Sequence, residues 1–304
     1  MSTGETAAYL AALQWHLDQG IDEALADTPG QMLTATAQNM FDTKDMGLSS
    51  GPAIAPPEKN LTPKTNAALA ALNETPPIAH NSLPATPALR EEAVKLAQKA
   101  NSLQDLETAL RGFEGLTVRK TATNMVFAAG NPHAALMVIG DCPGSDDDRQ
   151  GTPFSGAAGL LMDRILQSIG MTRNDANPAQ AAYLTQILNW RPPGNRTPSE
   201  AEMDISLPLI ERHIALAQPR LLLLCGGLTA QTLLGQNENI SRLRGRWHNY
   251  APRTEGLAGD SIPALVTYHP LYLLATPGQK RAVWADMLML AEKRRELGIP
   301  AQAA

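Results

Sequence analysis

Residues 134–156 read Ala-Ala-Leu-Met-Val-Ile-Gly-Asp-Cys-Pro-Gly-Ser-Asp-Asp-Asp-Arg-Gln-Gly-Thr-Pro-Phe-Ser-Gly. The apolar run over 134–140 stops at a glycine, and a run with no polar alternation predicts a strand buried on both faces. Leu160, Leu161, Ile165 and Ile169 follow at helical spacing, closed by Gly170. The strand-then-helix order recurs downstream. Residues 183–188, 220–226 and 262–268 predict three further strands. Ser199 and Glu202 form a capping-box pattern ahead of Leu207, Ile210 and Ile214. A short helix ends near Gly235, and Val283, Trp284, Met287 and Leu290 share one side of a last helix. Buried strands alternating with helices predict an α/β protein, a three-layer α/β/α sandwich with a central four-stranded parallel sheet.

Upstream the pattern dissolves. Leu10, Leu13, Leu17, Ile21 and Leu25 predict a helical segment over 1–26, bent near Gly20. Residues 27–86 lose periodicity, and eight prolines from Pro52 to Pro87 predict a Pro/Ala-rich flexible linker. Thr86-Pro87, and Ser102 with Asp105, mark two helix starts, so the α/β domain is placed at 87–298 with a tail at 299–304. Across the 304 residues, 43% hydrophobic content supports a core, while 4% aromatics with 23 Gly and 23 Pro fit a loose attached segment. A net charge of −5 excludes a global basic field, so any nucleic-acid surface must be local. Two cysteines, Cys142 and Cys225, exclude a disulfide scaffold and a four-thiolate metal site. The first residues carry Glu5 and no Lys or Arg through Leu13, unlike a secretory signal, and the longest apolar run, 221–227, is too short for a bilayer. A soluble, cytoplasmic monomer without membrane contact is expected.

The chemistry-bearing residues gather at the predicted carboxyl ends of the strands, where open parallel sheets bind ligands. Asp141 follows the first strand, Gln186 and Asn189 close the second, Gly226-Gly227 follows the third, and His269-Pro270 ends the fourth. An acid and a histidine at one rim point to an active-site edge. The loop over 140–156 holds four glycines and two prolines, yet it is neither a dinucleotide fingerprint nor a P-loop. Asp146, Asp147 and Asp148 fit a solvated acidic loop. Phe154 fits either a core anchor or a stacking platform for a planar ligand. Basic residues concentrate in 191–196 and in 237–253, the latter with four arginines against one glutamate, as loops contacting phosphate would require. Neither cysteine reads as a nucleophile, although Cys142 would line the crevice.

These motifs in this order resemble the family-4 uracil-DNA glycosylases and their superfamily over roughly residues 112–290. The family's Gly-Glu-Ala-Pro-Gly, Glu-Asp and Gly-x-Pro-Phe-x-Gly elements correspond to Gly140-Asp141-Cys142-Pro143-Gly144, Asp147-Asp148 and Gly151-Thr152-Pro153-Phe154-Ser155-Gly156. Its Tyr-Ile-Thr-Asn strand is matched by Tyr183-Leu184-Thr185-Gln186, and its Arg-Pro-Pro-Gly-Asn-Arg loop is intact from Arg191 to Arg196. Leu243-Arg244-Gly245 and His269-Pro270-Leu271-Tyr272-Leu273-Leu274 complete the set. Four departures stand out. The family's four iron-sulfur cysteines fall at about Phe113, Leu116, Trp190 and Ser206, so no cofactor or metal is expected, and Phe113, Leu116 and Trp190 are expected to form an apolar cluster instead. The acid is shortened to Asp141, the base-reading Asn is Gln186, and the arginine after the Leu-Leu pair is Ala275.

The resemblance implies hydrolysis of the N-glycosidic bond of deoxyuridine in DNA, single- or double-stranded, as a step of base-excision repair. Asp141 would stabilise the cationic sugar and position water, and His269 would hydrogen-bond the departing base. Asp147 would be a secondary acid. Cys142, Phe154 and Gln186 would bind uracil, with Gln186 presenting both amide groups to O4 and N3–H. Arg191, Asn195, Arg196, Arg244 and Leu273 would contact DNA. The shortened acid and Gln186 keep one alternative open, a non-catalytic uracil- or damaged-DNA-binding protein of the same fold, and a nucleoside hydrolase in this sandwich is a third reading.

Overall fold

A computed structural model describes residues 87–300, residue 258 excepted. The helical segment expected over 1–26, the linker over 27–86 and residues 301–304 lie outside the described residues. Helix α1 (Pro87–Lys99) opens on a proline, whose missing N–H would be unpaired there anyway. Helix α2 (Leu103–Gly112) is capped by Ser102, whose hydroxyl accepts from the Asp105 amide at 3.0 Å. Strands β1 (Ala128–Gly130) and β2 (Leu136–Gly140) lead into helices α3 (Ser145–Gln150) and α4 (Gly156–Gln167). Strand β3 (Ala182–Gln186), helix α5 (Glu200–Ala217), strand β4 (Leu221–Cys225) and helices α6 (Gly227–Leu234) and α7 (Ile240–Leu243) follow. Strands β5 (Trp247–Tyr250) and β6 (Ile262–Thr267) and helices α8 (Pro270–Ala275) and α9 (Lys280–Glu296) complete the chain. Helix α5 starts at the expected capping box: Ser199 Oγ accepts from the Glu202 amide and the Glu202 carboxylate from the Ser199 amide.

The strands form one sheet in the order β1-β3-β2-β4-β6-β5. The four inner strands are parallel, as expected. The sheet nevertheless has six strands, because β1 and β5 add antiparallel edges. These edges are three and four residues long and only partly buried, so they lack the apolar run that marks the inner strands. Strand β5 and helix α7 lie inside the segment read as an arginine loop.

Alternation along the inner strands divides the core. Leu136 and Val138 belong to one cluster with Leu161, Met162 and Ile165 of α4 and Met287 and Leu290 of α9. Met137 and Ile139 belong to the other, with Leu106 and Leu110 of α2 and Ile210 and Ile214 of α5. Each fully buried aliphatic side chain is worth about 1.5–3 kcal/mol, so both layers are held mainly by such burial. Ile299, assigned to the tail, is buried in the first of these clusters. Among the described residues, no helix is long and apolar enough to cross a membrane.

Candidate active site

A crevice of about 460 Å³ opens at the carboxyl ends of the inner strands, lined among others by Asp141, Cys142, Phe154, Asn195, Arg196 and His269. The topology thus gathers residues from four distant stretches at the rim the sequence indicated.

Asp141 leaves the end of β2 and turns toward the first turn of α6. Its Oδ1 accepts from both the amide (2.9 Å) and the hydroxyl (2.8 Å) of Thr229. Gly226 makes this approach practicable: its φ is +117°, and a Cβ there would stand 2.1 Å from Asp141 Oδ2. Burial pushes the Asp141 carboxyl above its ordinary range, while His269 and the Thr229 hydrogen bonds pull the other way.

His269 caps helix α8. Its Nδ1 accepts from the Leu271 amide at 3.2 Å, which places the proton of the neutral ring on Nε2. Burial holds the imidazole below its ordinary pKa, against the pull of Asp141. Nε2 is buried and has no partner within the protein. The imidazole lies against Phe154, with ring centroids 5.4 Å apart and planes 19° from parallel. Phe154 is both of the things its sequence left open, a buried member of a core cluster and a wall of the crevice. Its backbone is left-handed at φ +52°, a conformation an aromatic residue adopts only when its surroundings impose it. Arg173 supplies part of that constraint. Its guanidinium donates to the carbonyls of Pro153 (3.2 Å) and Phe154 (3.1 Å), and its Nε donates to Asp163 at 2.6 Å.

Of the acidic loop only Asp146 is solvated as expected, with 40% of its side chain exposed. Asp148 is buried and accepts from the Thr123 and Asn124 amides. Asp147 is buried too, accepting from the amides of Gly144 (2.9 Å) and Ser155 (2.7 Å) and from Gln186 Nε2 (2.9 Å). A carboxylate so occupied holds the loop in shape, and Asp147 also lines the crevice. Gln186 is partly committed: one of its two Nε2 hydrogens goes to Asp147, and Oε1 is buried without a partner.

Among the expected DNA contacts, Arg191 Nε donates to Asn195 Oδ1 at 2.7 Å, and Arg196 makes a two-pronged bond to Glu202 at 2.8 and 2.7 Å. These pairs pin the loop to the start of α5, with Asn195 and Arg196 on the crevice wall. Arg244 faces inward: it pairs with the fully buried Asp286, donates to the Ala282 carbonyl, and lies 5.2 Å from the Tyr268 ring centroid. Three of its five N–H donors are used inside the protein, and its side chain is 19% exposed. Leu273 is buried in the core, and the exposed leucines of α8 are Leu271 and Leu274. The period of the helix places Leu273 inward, which the motif alone did not reveal.

The positions where the family's cluster cysteines would fall hold Phe113, Leu116 and Trp190, buried in one apolar cluster, and buried Ser206, whose hydroxyl donates to the Ile187 carbonyl. These residues do not fit an iron-sulfur cluster, since none supplies a thiolate. Among the described residues no group of three or more His, Cys, Asp or Glu is arranged to hold a metal. Sequence reasoning missed Thr229 and Arg173. Thr229 follows the Gly226-Gly227 turn at a helix start and was within reach of pattern reading, whereas Arg173 carries no local signal.

The profile of the "Uracil DNA glycosylase superfamily" matches residues 127–288. The type-4 uracil-DNA glycosylase of Pyrobaculum aerophilum is 29% identical over 191 residues, covering 62% of this chain and 92% of the relative. The enzyme of the same name from Archaeoglobus fulgidus is 29% identical over 195 residues, 63% and 92% of the two chains. That from Sulfurisphaera tokodaii is 30% identical over 182 residues, 58% and 76%. With more than half of its length matched and Asp141, Phe154, Asn195, Arg196 and His269 of the motifs lining one crevice, this chain belongs to the uracil-DNA glycosylase superfamily.

Proposed function

We propose that this protein hydrolyses the N-glycosidic bond of deoxyuridine in DNA, releasing uracil and leaving an abasic site. The observation that carries the reading is His269: a half-buried neutral ring with its proton on Nε2, an atom that is itself buried and unpartnered, beside Asp141 and Phe154. Such a donor suits a leaving group that becomes an anion. The target nucleotide must leave the base stack for its C1′ to be reached. Glycosidic cleavage passes through an oxocarbenium-like sugar, and the departing electron pair collects on the base. Asp141 would stabilise the sugar cation and orient the water that adds to C1′, and His269 Nε2–H would bond uracil O2 as charge grows there. Phe154 would stack on the base, with Cys142 beside it. Arg191, Asn195 and Arg196 would meet the phosphates from their shared loop.

The same reading has the protein act on DNA as a monomer, in the cytoplasm and without an iron-sulfur cluster. The commitment of Asp141 Oδ1 to Thr229 favours one alternative, a uracil-DNA binder without chemistry. A single-turnover assay on single- and double-stranded uracil-containing oligonucleotides separates the two. The expected result is release of free uracil, with His269→Ala slowed about a hundredfold or more and Asp141→Asn slowed while still binding DNA. Binding without release in the parent protein would establish the alternative, and equal rates in all three proteins would refute the assigned roles.

A further inference from the structure

The carboxylate of Asp141 is built into the start of helix α6, which lies more than eighty residues further along the chain. Gly226 stands at the cap position of that helix and supplies no side-chain bond to its free amides. Asp141 Oδ1 takes one of them, the amide of Thr229, at 2.9 Å, and the Thr229 hydroxyl adds a second bond to the same oxygen at 2.8 Å. Thr229 itself is fully buried. A Cβ on Gly226 would stand 2.1 Å from Oδ2 and 2.4 Å from Oδ1, so the carboxylate is pressed against that backbone. Among the described residues no hydrogen bond reaches Oδ2, and Asp141 lines the crevice. An amide N–H can only donate, so Oδ1 is held as an acceptor, and a proton taken up by the carboxyl would have to sit on Oδ2.

We infer that Thr229 is a positioning residue for the proposed reaction, fixing Oδ1 of Asp141 so that Oδ2 is the oxygen presented to the sugar and its water. The inference rests on the glycosylase reading and deepens it, by giving the two oxygens of the acid different tasks. Two donors on Oδ1 also favour the ionised carboxyl, against the burial that favours the neutral one. The titratable groups around it are His269 on α8, a neutral ring, and the thiols of Cys142 and Cys225, which burial holds well above their ordinary pKa. Asp146, Asp147 and Arg196 line the same crevice, engaged with Arg149, with loop amides and Gln186, and with Glu202. In this setting the Thr229 hydroxyl is a donor that substitution can remove while the backbone amide stays in place.

The test is the pH dependence of single-turnover uracil release in the parent protein, in Thr229→Val and in Thr229→Ser. Val keeps the shape and the amide but loses the hydroxyl, and Ser keeps the hydroxyl; Thr229→Ala replaces Val if the apolar branch disturbs the fold. Losing a hydrogen bond to a charged group is expected to move the acid limb of the Val variant up by about one pH unit or more. Release well above that limb should fall about tenfold or more, because the carboxylate is free to turn, while affinity for uracil-containing DNA is unchanged. The Ser variant is expected to restore both the limb and the rate. A role in packing alone would leave the limb where the parent has it. An unmoved limb in Thr229→Val, or a Ser variant that behaves like Val, overturns the inference and leaves the glycosylase reading standing. A parent protein that releases no uracil overturns that reading instead, and carboxyl-carbon NMR titration of Asp141 then decides the role of Thr229. A higher midpoint in the Val variant supports it, and equal midpoints overturn it.

Discussion

A single methyl group added at residue 140 would stand 2.7 Å from Phe154 Cζ, closer than side-chain carbons tolerate. Gly140→Ala is therefore expected to push the ring off its place against His269. Overpacking of this kind costs about 1–3 kcal/mol, and because the displaced group belongs to the crevice, uracil release should fall at least about tenfold. Single-turnover rates set beside thermal melts check this; a variant as active as the parent would show that the ring is not held by that contact. Asp141 supplies a second expectation. In the proposed mechanism its carboxyl acts as an anion, so activity should be lost as pH falls through its pKa, and burial raises that pKa above the ordinary value. The acid limb of the rate profile should accordingly lie above about pH 3.9, the usual aspartate value. In the same proposal His269 works as the neutral ring, and its pKa is depressed, so no inflection from it is expected near about pH 6.5. An acid limb at or below the ordinary aspartate value would detach catalysis from Asp141.

Between elements, the site is held by residues that never touch the base. The segment joining α3 to α4 bends through Phe154 at φ +52°, and Arg173, beyond the end of α4, bridges Asp163 and the carbonyls of Pro153 and Phe154. Its side chain is 14% exposed, so the bridge is largely shielded from water. Gly159 completes the fit, since a Cβ there would stand 1.9 Å from the Phe154 carbonyl oxygen. Arg173→Met removes the donors and leaves the chain free to relax from its left-handed turn. The expected outcome is weaker inhibition by free uracil together with a lower Tm. Arg173→Lys should not restore the inhibition, because a single ammonium cannot span a carboxylate and two carbonyls as a planar guanidinium does. Recovery in the Lys variant would reduce Arg173 to a simple charge. On the far side of the crevice, the capping box of α5 and the Arg196–Glu202 pair hold the Arg191–Arg196 loop in the same indirect way.

For the molecule as a whole, the test of greatest reach is elemental. Phe113, Leu116 and Trp190 are 2%, 1% and 3% exposed, and they are core residues where relatives of this kind would be expected to bind a cluster. Protein purified without oxygen is expected to be colourless and free of stoichiometric iron and sulfide. Iron at one cluster per chain would mean that ligands lie outside these positions. Substituting Trp190 by Ala should instead cost about 3–5 kcal/mol, the ordinary penalty for emptying a large core site, read by urea unfolding.

The inner strands, the capping box of α5 and the rim where Asp141 and His269 meet were legible in the sequence, because each is written in local pattern. A run of apolar residues such as Leu221–Cys225 has no half-buried alternative, and Ser199 three residues before Glu202 satisfies orphan amides wherever that helix starts. The edge strands β1 and β5 were not legible, since a short, half-exposed strand has its partner and not its own composition to thank for its structure. The same holds at the site. Residue type placed Gln186, Asp147, Arg244 and Leu273 near the right chemistry, but their hydrogen-bonding and packing depend on groups far away in the chain. Arg244 meets Asp286 forty-two residues on, and Gln186 meets Asp147 thirty-nine residues back. Which donors remain for a ligand is a property of those pairings. A sequence lists the available groups, and the tertiary structure decides which of them are already spent.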